Sequence, residues 1–223
     1  DHPVSRIVIG VQPVREAIRV HGNAIERVLL ASASHKDSRP LDGIFRFCQS
    51  RDIGVERVDR QTLDRITHGA SHQGVLAYAP ELQLLDLAEL MAPSPTLITA
   101  LDRITDPQNF GAIIRSAVAF DSHGILWPEH DSAPLTPATF RASAGAIEHA
   151  RLCRVSSLPA ALHALHNESM VVVGLAGESP VSLDSLPLHQ PTVLVVGAEG
   201  SGLRKGVRDA CDHIARLPTS HVY

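Results

Sequence analysis

Short apolar runs alternate along this chain with longer stretches in which apolar residues recur every three or four positions. The first kind reads as strand and the second as helix. Ile7-Val8-Ile9-Gly10 predicts a strand with a sharp exit at the glycine. Residues 12–20 predict a helix with Val14, Ala17 and Ile18 on one face, stopped by Gly22-Asn23. Strands are expected at 25–30, 55–58 and 75–78, with helices at 41–51 and 61–66 and a charged loop at 34–39. Residues 1–79 thus form a β-α-β-α-β-α-β succession, enough for one small three-layer domain. Residues 80–95 hold Leu82, Leu84, Leu85, Leu87, Leu90, Pro93 and Pro95, and read as a linker with a short helix around 86–91.

A second domain, 96–223, begins with the buried strand 96–101 and a polar turn through Asp102 and Asn109. The period then becomes helical: Ile113, Ile114, Ala117 and Val118 share one face. Pro107 is expected just before the helix and Asn109 at its N-cap, with Arg115 about two turns further on. Open α/β sheets hold ligands at the carboxyl ends of their strands, so Asn109 and Arg115 are candidate ligand residues. Read alone, a helix cap and a surface arginine explain the same two residues. Further strands are expected at 124–127, 150–155, 170–175, 193–196 and 214–217, and helices at 139–146, 158–166 and 205–211. Alternation throughout predicts parallel sheets covered by helices.

The 44% hydrophobic content suits a globular chain with a real core. No apolar run approaches the ~20 residues of a membrane helix, so no membrane partner is expected. Nor does DHPVSRIVIG have the basic-then-apolar pattern of a signal peptide. Cys48, Cys153 and Cys211 are odd in number and far apart. A reducing, cytoplasmic setting is expected, with neither a zinc site nor a disulfide framework. Net charge is -4, but residues 1–79 hold 11 basic side chains against 9 acidic, while residues 80–223 hold 9 against 15. Ten of the first eleven are arginines, the better residue for bidentate phosphate contacts, and His2, His21, His35, His68 and His72 accompany them. This points to RNA contact by the first segment, as it equally describes a well-solvated surface.

The second chemical stretch is Gly197-Ala198-Glu199-Gly200-Ser201-Gly202, directly after an apolar run. Glycine-rich loops bring backbone N–H groups close to a ligand, and also make tight strand-to-helix turns. The spacing does not follow G-x-G-x-x-G, and Glu199 would occupy the place of a pyrophosphate. An acidic loop suits a neutral or cationic ligand better, which argues against a dinucleotide-dependent oxidoreductase. His163 and His166 stand three apart on a predicted helix, but no further ligand is suitably spaced, so no metal is expected. Ser143 lies in A-S-A-G, which is no nucleophile elbow.

Residues 106–117, DPQNFGAIIRSA, resemble the first motif of the SpoU (TrmH-like) RNA ribose 2'-O-methyltransferases of the SPOUT superfamily. VVGAEGSGL at 195–203 resembles their second motif, and Leu217-Pro218 looks like the start of the third. Gly10–Ala17 (GVQPVREA) and His72-Gln73-Gly74-Val75 look like the N-terminal domain of the bacterial 23S rRNA guanosine 2'-O-methyltransferases, a domain similar to small RNA-binding ribosomal proteins. The resemblance implies a SPOUT-type knotted α/β domain with a parallel sheet, preceded by a small α/β RNA-binding domain. It also implies a homodimer, RNA as partner and S-adenosylmethionine (AdoMet) as methyl donor. The cofactor would be held by Gly197, Gly200, Gly202, Leu217 and Pro218, with Leu175, Ala176 and Gly177 contributing. His72, Gln73 and Arg115 would meet the RNA.

The implied reaction is attack of a ribose 2'-hydroxyl on a methyl carbon, which requires the hydroxyl proton to leave. Arg115 is the family's motif arginine, and an arginine is almost always protonated. It is therefore expected to anchor a phosphate and orient the hydroxyl, with Asn109 fixing the ribose or Arg115, and Glu199 accepting hydrogen bonds. An rRNA target, most of all a guanosine of 23S rRNA, is expected. A tRNA, a resistance-type rRNA site and a non-catalytic RNA-binding relic are the alternatives. The family's third motif continues with a Ser-Leu-Asn-Val-type segment and a helix that complete the cofactor pocket, and the sequence stops at Tyr223, before them.

Overall fold

The computed structural model describes residues 5–32 and 38–219. Residues 34–37 of the expected charged loop, with His2 and the end of the chain from 220, lie outside the described residues. The chain divides into two compact units: 1–82 with 111–115 and 135–149, and 83–110 with 116–134 and 150–223.

The first unit contains β1 (Ser5–Ile9), α1 (Val11–His21), β2 (Arg27–Ala31), α2 (Ser38–Ser50), β3 (Val55–Val58), α3 (Arg60–Ile66) and β4 (Val75–Pro80). Its sheet runs β1-β4-β2-β3. Only β2 and β3 are parallel; β4 lies between β1 and β2, antiparallel to both. The expectation of parallel sheets throughout is corrected here. Alternation of strand and helix does not specify direction when the last strand inserts between two earlier ones. Val14, Ala17 and Ile18 are buried with Leu41, Ile44 and Cys48 against Val8, Val28, Leu30, Leu76 and Ala77, the helical face that the periodicity marks.

The second unit begins inside the expected linker. β5 (Leu84–Leu85) pairs in parallel with a later strand, and α4 (Leu87–Leu90) follows with Asp86 and Glu89 forming a capping box. Then come β6 (Leu97–Asp102), α5 (Pro107–Ala119), β7 (Gly124–Pro128), α6 (Pro137–Ala142), β8 (Leu152–Val155), α7 (Leu158–Asn167), β9 (Val171–Leu175), β10 (Thr192–Gly197), α8 (Lys205–Asp209) and β11 (His213–Ala215). Seven parallel strands run β11-β9-β10-β6-β7-β8-β5. The chain leaves β6 toward β7 on one side and β10 toward β11 on the other. The boundary between β6 and β10 is therefore a switch point, where crevices open beyond the carboxyl ends of strands. Ile98, Ala100, Leu126, Val172, Val193 and Val195 form the sheet's share of the core. Phe110 packs edge-on against Trp127, ring centres 5.4 Å apart.

Helix α6 and the short helix Ala146–His149 follow β7 in sequence but belong to the first unit. Arg6 of β1 donates from Nη1 to Glu148 Oε1 at 2.8 Å, and its guanidinium stacks 4.9 Å from the Phe140 ring. His21 Nε2 lies 2.8 Å from Glu148 Oε2, and His149 Nε2 lies 2.7 Å from Glu16 Oε2. Burial alone would raise the Glu148 carboxyl, but hydrogen bonds from His21 and Arg6, and their charge, together hold it below its ordinary 4.5. A Cβ at Gly145 would lie 2.7 Å from the Glu16 Cβ, so only glycine lets this segment approach α1. One at Gly111 would lie 2.5 Å from the Ala142 Cβ, which makes the same demand on α5.

Candidate active site

Helix α5 starts where its sequence requires, one turn earlier than expected. The Asp106 side chain accepts from Gln108 N at 3.0 Å, and Pro107 occupies the first turn, where its missing N–H costs nothing. Asp106, not Asn109, is thus the N-cap. Asn109 sits exposed in the first turn and Arg115 exposed further along the same helix.

The loop after β10 is closed on itself. Gly202 N donates to Ala198 O at 2.8 Å, and Ser201 N donates to Glu199 O at 3.0 Å. Gly200 and Gly202 have φ of +77° and +65°, values that glycine adopts freely. Gly197 has a different reason: a Cβ there would lie 2.5 Å from the Gly202 carbonyl carbon. This glycine admits the loop's own backbone. Glu199 is carried exposed on the turn so formed.

A cleft of about 420 Å³ opens beyond β9 and β11, lined by Leu175, Ala176, Gly177, Ser182, Leu217 and Pro218, among others. Its walls are stitched by backbone bonds. Ala176 N donates to Ala215 O at 2.9 Å, Arg216 N to Val181 O at 2.8 Å and Leu183 N to Arg216 O at 2.9 Å. Arg216 Nη1 adds a bond to Ser179 O at 2.9 Å. Five of the eight expected cofactor residues therefore share one cavity. Gly197, Gly200 and Gly202 do not line it; they form the loop at the end of the adjacent strand β10. The Glu178 carboxyl, next to Gly177, is held below its ordinary value by a backbone hydrogen bond, then by Arg208 Nη1 at 2.9 Å.

His72 and Gln73 have structural work the sequence reading did not include. His72 is 3% exposed, with Nε2 2.9 Å from Asp64 Oδ1 and Nδ1 accepting from Gly74 N at 2.9 Å. Gln73 Oε1 accepts from Val11 N at 2.9 Å, satisfying a free donor at the start of α1. Among the described residues of this unit the exposed Lys and Arg side chains are all arginines. Arg27, Arg51 and Arg57 stack on Tyr78, Phe47 and Phe45 at 4.8, 5.2 and 5.4 Å.

Periodicity missed Asp102, the last residue of β6. It is 0% exposed, and accepts from Arg204 N at 2.7 Å and from Arg204 Nε at 2.8 Å. An acid closing a buried apolar run was the available signal, since such a group needs a partner. His166 Nδ1 lies 3.0 Å from Asp212 Oδ1, an ordinary ion-pair geometry. The thiols of Cys48, Cys153 and Cys211 are pushed up to about 11, chiefly by burial.

A model of the SpoU rRNA Methylase family matches residues 96–223, and one described as RNA 2'-O ribose methyltransferase substrate binding matches residues 7–85. Among curated proteins, an uncharacterized tRNA/rRNA methyltransferase of Mycobacterium leprae is 36% identical over 217 residues, covering 95% of this chain and 69% of the relative. One from Mycolicibacterium smegmatis is 36% identical over 220 residues, covering 96% and 69%. Among solved structures, the SpoU methyltransferase AviRb from Streptomyces viridochromogenes, in complex with the cofactor AdoMet, superposes with a TM-score of 0.77 at 24% identity, covering 97% of this chain and 82% of that one. The AdoMet-bound rRNA methyltransferase from Sinorhizobium meliloti gives 0.76 at 22%, covering 98% and 80%. At these identities the superpositions establish a shared fold.

Proposed function

The chain belongs to the SpoU rRNA methylase family, and from that premise we propose that it transfers a methyl group from AdoMet to a ribose 2'-hydroxyl of rRNA. The observation that carries this reading is the cleft at Leu175, Ala176, Gly177, Leu217 and Pro218. Its volume lies within the ~300–1,000 Å³ of small-molecule sites. Its walls offer backbone groups, apolar surface and Arg216, whose guanidinium is tied to Ser179 O and Pro180 O; Glu178 beside it is paired with Arg208, and Glu199 is exposed on the loop after the adjacent strand. A cleft of this size with backbone groups and apolar walls suits a nucleoside-sized cofactor such as AdoMet. Leu175, Ala176, Gly177, Leu217 and Pro218 would hold the cofactor, with Gly197, Gly200 and Gly202 shaping the loop beside it. When bound, AdoMet supplies an electrophilic methyl carbon.

The chain's own residues hold and orient the nucleophile. Arg115 anchors a phosphate and orients the 2'-hydroxyl. Asn109 fixes the ribose or Arg115, and Glu199 accepts hydrogen bonds from this group. In the transfer the bond from the methyl carbon to the cofactor's sulfur would break as the bond to the ribose oxygen forms, and the hydroxyl proton would leave to solvent. RNA reaches the first unit through exposed arginines, while His72 and Gln73 keep the turn that supports α1. The finer reading is a guanosine of 23S rRNA as target, in a cytoplasmic homodimer with the family's knotted chain path. Phe120, 81% exposed at the end of α5, offers apolar surface for a second copy.

Calorimetry with AdoMet and with NAD tests the cofactor, and tritiated AdoMet with rRNA fragments tests the transfer. AdoMet binding without NAD binding, and label in ribose, are expected. NAD binding without AdoMet binding would overturn the proposal. Mapping ribose methylation in a deletion strain identifies the nucleotide.

A further inference from the structure

The structure assigns Asp102 and Arg204 a role as positioning residues: a single buried carboxylate closes the base of the glycine loop and thereby aims Glu199. Two independent connections meet at Asp102. Its backbone stands in parallel register with Gly197, where the loop begins. Its carboxylate holds Arg204 at both N and Nε, where the loop has ended. Between these points the chain makes the tight turn sealed by the Gly202-to-Ala198 bond. A third tie comes from the neighbouring residue. Arg103, with φ of +56°, donates from Nη2 to Ser201 Oγ at 3.3 Å.

The chemistry explains why this lock is stiff. A carboxylate with no solvent exposure depends on such donors to offset its lost hydration, and among the described residues Arg204 supplies two. Backbone N–H and guanidinium Nε approach its two oxygens separately, which determines the direction of the chain leaving the loop as well as its distance. β6 also delivers the chain to α5, the helix of Asn109 and Arg115. The lock therefore couples the loop of Glu199 to the strand that feeds the RNA-facing helix. Its catalytic significance rests on the proposed methyl transfer; its mechanical significance does not.

The test uses the full chain with Asp102→Asn, which keeps size but turns one acceptor into a donor facing Arg204 Nε. Hydrogen exchange reads the lock without turnover. Amides of Gly202 and Arg204 should exchange about tenfold faster or more, with those of β7 unchanged. With tritiated AdoMet, kcat should fall ~100-fold, the usual effect of misplacing a catalytic group by about 1 Å. RNA affinity should stay within about twofold, since the exposed arginines of the first unit are untouched. The double variant Asp102→Asn/Glu199→Gln should be no slower than Glu199→Gln alone, because groups acting as one unit do not add. Arg204→Lys, which retains the backbone bond and a cation, should keep more activity than Arg204→Met and covers the case of a poorly folded first variant. Unchanged exchange at Gly202 and Arg204 in a folded variant would overturn the lock. So would multiplicative losses in the double variant. Wild-type protein that transfers no methyl while these amides respond would instead refute the proposed function.

Discussion

Replacing Gly197 with alanine asks whether the loop after β10 is closed on itself. The new Cβ would lie 2.5 Å from the carbonyl carbon of Gly202, 2.7 Å from its oxygen and 2.8 Å from Leu203 N. Carbon contacts are comfortable from ~3.5 Å, so the two limbs of the loop must part by about 1 Å. All three atoms are backbone, and no side-chain rotation relieves the clash. Parting the limbs stretches the Gly202-to-Ala198 hydrogen bond, now 2.8 Å. Overpacking of this kind costs ~1–3 kcal/mol, and a lost hydrogen bond about 1 kcal/mol more. We therefore expect loop closure to weaken by roughly 2–4 kcal/mol. AdoMet titration by calorimetry should show at least a tenfold loss of affinity, about 1.4 kcal/mol, because the loop can open without global unfolding. Urea unfolding should show a smaller fall in midpoint. Gly200→Ala is the internal comparison: its φ is +77° but nothing lies within 4 Å, so only about 1–2 kcal/mol of backbone strain is expected. Wild-type AdoMet affinity and urea midpoint in Gly197→Ala would refute the reasoning. A larger loss in Gly200→Ala would refute it as well.

Arg115→Ala should abolish methyl transfer to an rRNA fragment while AdoMet affinity, by calorimetry, stays within about twofold; Arg115→Lys should keep some RNA affinity but little turnover, having lost the bidentate geometry. Arg6→Met leaves the buried Glu148 carboxylate with His21 but without its guanidinium, and should destabilise the first unit in urea by about 1.5–3 kcal/mol, the range for a lost hydrogen bond to a charged group. Because the folded Glu148 carboxyl titrates below its ordinary 4.5, the unfolded chain binds its proton first as pH falls. Its stabilisation is present above pH 4.5 and is lost as pH drops through the depressed folded value; Glu148→Gln should flatten that part of a urea-midpoint against pH curve. Thiols pushed up to about 11 should react slowly with iodoacetamide at pH 8 in folded protein, and at the ordinary rate in urea.

The sequence by itself determined the local pieces of this protein. Val14, Ala17 and Ile18, and Ile113, Ile114 and Ala117, mark helix faces because burial selects apolar residues at the helical period. The runs before Asp102 and Gly197 read as buried strands for the corresponding reason, and both candidate loops follow from where those runs stop. Family resemblance, carried by the residues of these loops, pointed to the cofactor. Tertiary structure decided what periodicity does not encode, namely which strands pair and in which direction. Antiparallel insertion of β4, the recruitment of Leu84–Leu85 into the large sheet and the packing of residues 135–149 with the first unit are all of this kind. So is the cleft, since Leu175 and Leu217 meet only because β11 lies beside β9. For His72, which the family resemblance marks as an RNA ligand, the tertiary structure adds burial and two hydrogen bonds that hold a turn. Asp102 and Arg204 stand 102 positions apart, and their pairing was invisible in the sequence. A buried charge must find its partner in space, and neither composition nor spacing records where the folded chain will put it.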